Sequence, residues 1–87
     1  MSEQEFVKAC KEKVVEYTNK HIDKTDGTSI DKSNVYVGWQ CKTLQNNKAL
    51  LSTTLTDGMY YEATYNGDKK ELYLDAYKKF ENVEYDF

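Results

Sequence analysis

The sequence predicts a two-layer α+β fold: one N-terminal amphipathic helix packed on a four-stranded antiparallel meander. Three observations lead there. Apolar and half-polar side chains recur at three- and four-residue spacing from Phe6 to Ile22, the pattern of a helix with one buried stripe. From Val35 to Tyr77 the chain alternates instead and is rich in tyrosine, as strands with two unlike faces are. Asp57-Gly58 and Asn66-Gly67 interrupt that alternation, and both dipeptides tolerate the positive φ of tight hairpins.

The helix is expected over Glu3 to Ile22. Ser2 with Glu5 forms a capping box, in which each side chain satisfies the other's unpaired backbone N–H. Phe6, Val7, Cys10, Val14, Tyr17, His21 and Ile22 share the buried stripe, and Glu5, Lys8, Glu12, Glu16 and Lys20 face water. Asp23 to Asn34 is polar and reads as a loop. Its Asp and Asn content suggests calcium, but with Gly27 in the glycine position of an EF-hand, Ile22 takes the first ligand slot and Ser33 the bidentate glutamate slot.

Four strands follow, at Val35–Thr43, Ala49–Leu55, Met59–Tyr65 and Glu71–Tyr77, with a turn at Gln45-Asn46-Asn47 between the first two. In the first, strict alternation sends Val35, Val37, Trp39 and Cys41 to the core and Tyr36, Gln40 and Lys42 outward. A three-residue loop at Thr56-Asp57-Gly58, with Gly58 left-handed, gathers Ala49, Leu51, Thr53 and Leu55 on the face of Met59, Tyr61, Ala63 and Tyr65. A two-residue turn at Asn66-Gly67 then sets Leu72 opposite Tyr61 and Leu74 opposite Met59. Trp39, Tyr61 and Leu74 are expected in the core. Beyond Lys78, Phe80, Val83, Tyr85 and Phe87 fit either period, and an extended edge segment is the preferred reading.

Composition narrows the function. At 87 residues, one domain spanning 1–87 is expected, with a small core that needs most of its large aromatics. The net charge is −3, and all 12 basic residues are lysine, which disfavours nucleic acid and removes any bidentate arginine fork. No basic segment followed by an apolar stretch opens the sequence and no run could span a membrane, so a cytoplasmic protein with reduced Cys10 and Cys41 is expected.

Catalytic and metal chemistry find little support. Cys10 and His21 lie eleven residues apart on one helix, about 16 Å at 1.5 Å per residue, too far to share an ion or a proton. A metal would require His21 with Asp23 or Asp26, or a second copy. Cys41 with His21 is the remaining nucleophile–base pairing, although a cysteine on an apolar sheet face is ordinarily inert. There is no G-x-S-x-G elbow or glycine-rich phosphate loop, and the exposed acids lack the environment of general acids. No enzyme, metal or cofactor is expected.

What remains is the outer sheet face, with Tyr36, Tyr60, Glu62, Glu71, Tyr73, Asp75 and Tyr77 as candidate protein-binding residues beside Gln40 and Thr64. Tyrosine offers large contact area at low entropic cost, and carboxylates beside it complement a basic partner. Tyrosines also suit strands whatever they do, and the segment after residue 78 or a second copy could cover them. Aromatic stacking on single-stranded nucleic acid would use similar residues but normally has basic neighbours.

The stretch from Trp39 to Phe80, chiefly KTLQNNKALLSTTLTDGMYYE and YNGD, resembles a family of small proteins encoded in phages and prophages of Gram-positive bacteria, streptococci among them, and the likeness extends back to EQEFVK. The resemblance implies a non-enzymatic phage protein, acting in the cytoplasm of the bacterial host, that binds and inhibits a defence protein. A CRISPR-associated nuclease such as Cas9 is the leading expectation, because such nucleases expose basic nucleic-acid channels. The alternative is a dimeric structural or regulatory phage protein that self-associates through the sheet face.

Overall fold

A computed structural model of the protein describes residues 2–21, 29–55, 57–81 and 83–86. The capping box starts the helix: the Glu5 N–H donates to Ser2 Oγ at 3.1 Å and the Ser2 N–H to Glu5 Oε1 at 3.4 Å. Helix α1 spans Glu3–His21, and the expected final residue, Ile22, lies outside the described residues. Phe6, Cys10, Val14 and Thr18 are buried, each four residues after the last, so one narrow row meets the sheet. Val7 and Tyr17 flank that row and His21 is exposed.

Strands β1 (Val35–Thr43), β2 (Asn46–Thr53), β3 (Met59–Asn66) and β4 (Glu71–Lys78) form one antiparallel sheet in the order β1-β2-β3-β4. Helix α1 lies across one face and touches all four strands. The core joins Phe6, Cys10 and Val14 to Ile30, Val35, Ala49, Leu51, Tyr61 and Ala63. Leu55, Met59, Tyr65, Leu72 and Leu74 pack round its rim. Of the expected Asp23–Asn34 loop, residues 23–28 lie outside the described residues. Asn19 holds the rest to the helix, since its side chain both donates to the Ile30 carbonyl and accepts from the Ile30 N–H at 3.0 Å. Asp31 then caps a 3-10 turn at Lys32–Asn34, accepting from the Ser33 N–H at 2.8 Å.

The structure changes the sequence reading of the sheet in four places. First, Cα partners run Val37↔Leu51 and then Trp39↔Leu50, so a bulge at Gly38 reverses the facing of the rest of β1. Trp39 and Cys41, expected in the core, stand on the outer face and are exposed, while Gln40 joins the helix side opposite Ala49.

Second, the β1–β2 turn is Leu44-Gln45, with Asn46 and Asn47 already paired in β2. Leu44, outside the expected Gln45-Asn46-Asn47 turn, supplies the left-handed residue at φ 57°. The asparagines serve other ends: Asn47 is buried, and Asn46 Oδ1 accepts the Gly67 N–H at 3.1 Å, tying the two turns at this end of the sheet together.

Third, Leu51 faces Tyr61, two residues from the expected β2–β3 pairing, because β2 stops at Thr53 and a five-residue connection follows. The predicted faces survive, since a shift of two preserves parity, and Gly58 is left-handed at φ 75°. Likewise Leu74 faces Ala63 and Leu72 faces Tyr65, because the β3–β4 turn takes four residues, Gly67–Lys70, with Lys70 at φ 55°.

Fourth, the expected extended edge segment does not form among the described residues. Strand β4 ends at Lys78, the Lys79 N–H donates to the Gly58 carbonyl at 2.7 Å, and Phe80, Val83 and Tyr85 point into solvent.

Gly67 shows how closely the two turns meet. A Cβ there would lie 2.2 Å from the Gln45 carbonyl oxygen. Because the obstacle is backbone, Gly67→Ala must displace the β1–β2 turn, and it is expected to cost about 1–3 kcal/mol, the range for forced overpacking. Chemical denaturation checks this. A Gly67→Ala variant as stable as the parent would show that the turns are not in contact.

Candidate functional site

Helix α1 covers one face of the sheet and leaves the other open. The register arranges the open face in rows across the strands: Tyr36, Ser52, Tyr60 and Tyr77; then Trp39, Leu50, Glu62 and Asp75; then Cys41, Lys48, Thr64 and Tyr73; then Thr43, Asn46, Asn66 and Glu71. All seven candidate residues, Tyr36, Tyr60, Glu62, Glu71, Tyr73, Asp75 and Tyr77, therefore share this face. Gln40 does not, since the Gly38 bulge turns it to the helix side.

The aromatic part is ordered by its own contacts. The Tyr60 and Tyr77 rings stack with centroids 5.1 Å apart and planes 13° apart, a cross-strand pair that orients both side chains. Trp39 is 53% exposed and sits directly opposite Leu50, so the centre of the face is apolar as well as aromatic. Sequence reasoning missed both residues. For Trp39 the available signal was Gly38, because an isolated glycine inside a strand often marks a bulge; for Leu50 it was the alternation of β2, which sends Ala49 and Leu51 inward.

The charged part lies on the β3–β4 half. Glu62 and Asp75 are direct cross-strand partners, and like charges placed opposite one another destabilise a sheet. Lys48 relieves part of this by pairing with Glu62 at 3.2 Å. The Tyr73 hydroxyl donates to the Glu71 carboxylate, and that bond raises the phenol's pKa. Three carboxylates, Glu62, Glu71 and Asp75, thus meet one ammonium group on this face, leaving an acidic field beside the aromatic centre.

The other candidate chemistries separate in space. Cys10 is buried against the sheet, and burial pushes its thiol up to about 12. Cys41 is exposed on the outer face, whereas His21 ends α1 on the opposite side of the sheet, so the two form no nucleophile–base pair. The His21 ring stacks on Tyr17 with centroids 4.1 Å apart, and its Nδ1 lies 2.8 Å from the Tyr17 carbonyl, which requires that nitrogen to donate. Asp23 and Asp26 lie outside the described residues. Among the described residues no three His, Cys, Asp or Glu side chains gather as a metal site, and no helix is long and apolar enough to cross a membrane.

Residues 7–87 match the family described as a family of unknown function, DUF6275. The chain belongs to DUF6275. No curated protein and no solved structure matches it. The DUF6275 match includes every strand and all of α1 beyond Phe6, so the open sheet face lies wholly inside the family region.

Proposed function

We propose that the protein is a non-enzymatic inhibitor, phage-encoded, that docks its open sheet face on a basic surface of a bacterial defence protein, with a CRISPR-associated nuclease such as Cas9 as the leading partner. One observation carries this reading: ordered aromatics and unbalanced carboxylates share the sheet face that the helix leaves uncovered. Stacked tyrosines and a half-exposed tryptophan supply anchors of the kind that dominate binding interfaces. Glu62, Glu71 and Asp75 supply a field that speeds encounter with a cationic channel and disfavours nucleic acid itself.

A cleavage assay with the nuclease and a molar excess of this protein tests the CRISPR form, and undiminished cleavage would remove it. Affinity capture from a streptococcal lysate tests the wider form. On any partner so found, Tyr60→Ala and Tyr73→Ala are each expected to weaken binding by about 1–3 kcal/mol, and Trp39→Ala by at least as much. None of the three should shift the melting temperature by more than a few degrees, since each side chain is substantially exposed. Calorimetric titration beside a thermal melt separates the two effects.

A second reading draws on the apolar Trp39–Leu50 pair at the centre of the face: a dimeric structural or regulatory phage protein that buries this patch against its own copy. Light scattering decides it, because Trp39→Ala should abolish such a dimer.

A further inference from the structure

The two edges of the sheet are unlike. Strand β1 forms one edge and β4 the other. The bulge at Gly38 interrupts β1, and a bulged edge is a poor template for a further strand. Strand β4 keeps one unbroken register with β3 from Glu71 to Lys78, and the chain has no proline to interrupt it.

In an antiparallel ladder, successive residues direct their N–H and C=O alternately to one side and the other. The Lys79 N–H donates to the Gly58 carbonyl at 2.7 Å, and the β3–β4 pairing continues without a shift to Asn66↔Glu71. Glu71, Tyr73, Asp75 and Tyr77 therefore bond to β3, whereas Leu72, Leu74, Ala76 and Lys78 direct N–H and C=O away from the sheet. Among the described residues no backbone group beyond the sheet bonds to those four. Their side chains lie on the helix side. Leu72 and Leu74 are half-buried there, and Ala76, opposite the buried Tyr61, is exposed. Helix α1 thus leaves an apolar row partly uncovered beside the unpaired backbone.

A second copy of β4 matches this edge. A two-fold axis perpendicular to the sheet pairs β4 antiparallel with itself and opposes residues of the same face. Only the outward-directed residues form the hydrogen-bonded pairs, so each of them must meet another of the same set. Centring the axis on Asp75 sets that carboxylate against its own copy, and centring it on Tyr73 sets Glu71 against Asp75. Like charges directly opposite destabilise a sheet. Centring it on Ala76 sets Lys78 against the half-buried Leu74. Centring it on Leu74 avoids all three conflicts. Leu74 then meets Leu74, Leu72 meets Ala76, Tyr73 meets Asp75 and Glu71 meets Tyr77, so the apolar row runs on across the junction and each carboxylate faces a tyrosine.

We infer that β4 is the edge through which two copies join, antiparallel and centred on Leu74, into one continuous sheet. Main-chain hydrogen bonds supply the attraction, as in strand addition generally, and Leu72, Leu74 and Ala76 of both copies bury one another on the helix side. The two open faces lie on the same side of the joined sheet and stay uncovered. The pairing is therefore separate from the function proposed for that face and does not depend on it.

Sedimentation equilibrium on the full chain tests the pairing, and the expected result is a concentration-dependent dimer. Ala76→Pro removes an N–H that points away from β3 and blocks the edge. It should raise the dissociation constant at least about tenfold while the dilute monomer melts close to the parent. Trp39→Ala should leave the dimer intact. Leu74→Cys, in a chain also carrying Cys41→Ser, reads the register. Opposed Cα atoms in a hydrogen-bonded pair lie about 5.5 Å apart, within the reach of a disulfide, so mild oxidation should cross-link two copies. Asp75→Cys in the same chain, two residues out of register with its own copy, should cross-link far less. A chain that stays monomeric at high concentration overturns the proposal. So does a dimer that a folded Ala76→Pro variant leaves unchanged, or one that Trp39→Ala dissolves. Where Ala76→Pro fails to fold, the cross-link decides, and Leu74→Cys chains that form no disulfide overturn the proposal.

Discussion

Tyr61→Ala is expected to destabilise the protein by about 3–5 kcal/mol, the cost of truncating a large buried aromatic. Tyr61 is 1% exposed and the largest of the fully buried side chains. Its ring meets Tyr17 edge-on at 5.7 Å, and its hydroxyl lies 3.2 Å from Thr18 Oγ1 in a buried bond that joins helix to sheet. Truncation opens a cavity and also strands the Thr18 hydroxyl, and an unsatisfied buried hydroxyl carries its own cost of about 1–3 kcal/mol. A domain of this size holds few such contacts, and total stabilities run to about 5–15 kcal/mol, so the variant should be partly unfolded at room temperature.

Tyr60→Ala is the control, since its neighbour in sequence points the other way and is 39% exposed. The Tyr61 variant should melt at least about 12 °C lower than the Tyr60 variant, at roughly 4–8 °C per kcal/mol for a domain of this length. The reverse order would mean that the two faces of the sheet have been exchanged. Tyr61→Phe isolates the hydrogen bond: it keeps the ring and should cost only about 0.5–1.5 kcal/mol.

That Tyr60 and Tyr61 could be separated from sequence follows from the physics of strands. Parity along a strand is a local property, preserved by any shift of two or four residues, so the faces of β2, β3 and β4 were legible although both connecting loops were misjudged. The pairing itself was not legible. It depends on how many residues each turn consumes, and at these turns Lys70 takes positive φ without being glycine or asparagine.

The larger loss was at β1. One unpaired residue at Gly38 inverts everything after it, which moved Trp39 and Cys41 out of the core and brought Gln40 in. The centre of the open face depends on that inversion, which sets Trp39 opposite the outward Leu50 of β2. The tyrosines and carboxylates of the open face were readable because they lie on β3, β4 and the part of β1 before the bulge. In α1, Thr18 escaped notice because its polarity argues against burial, which only the distant hydroxyl of Tyr61 makes favourable.

The same core predicts an alkaline weakness. Cys10 is 0% exposed, and burial moves its thiol from the ordinary 9.0 to about 12. The folded state therefore holds this proton more tightly than the unfolded chain. The stabilisation is complete below pH 9 and drains away as pH rises from about 9 towards 12, with a limiting slope of about 1.4 kcal/mol per pH unit for one group. Tyr61 acts in the same direction: its phenol is raised above 10.0, chiefly by burial. The informative quantity is the difference between two proteins that differ only at Cys10. Melts of the parent should fall more steeply above pH 9 than those of Cys10→Ala, which has no buried thiol to ionise. Thiol labelling offers an independent check on the same burial. At pH 8 in the folded protein a small alkylating reagent should modify the exposed Cys41 and leave Cys10 untouched until denaturant is added. Equal labelling of both cysteines, or parallel alkaline melts for the two proteins, would show that the row of α1 carrying Cys10 is open to water and that the helix does not close the core as described.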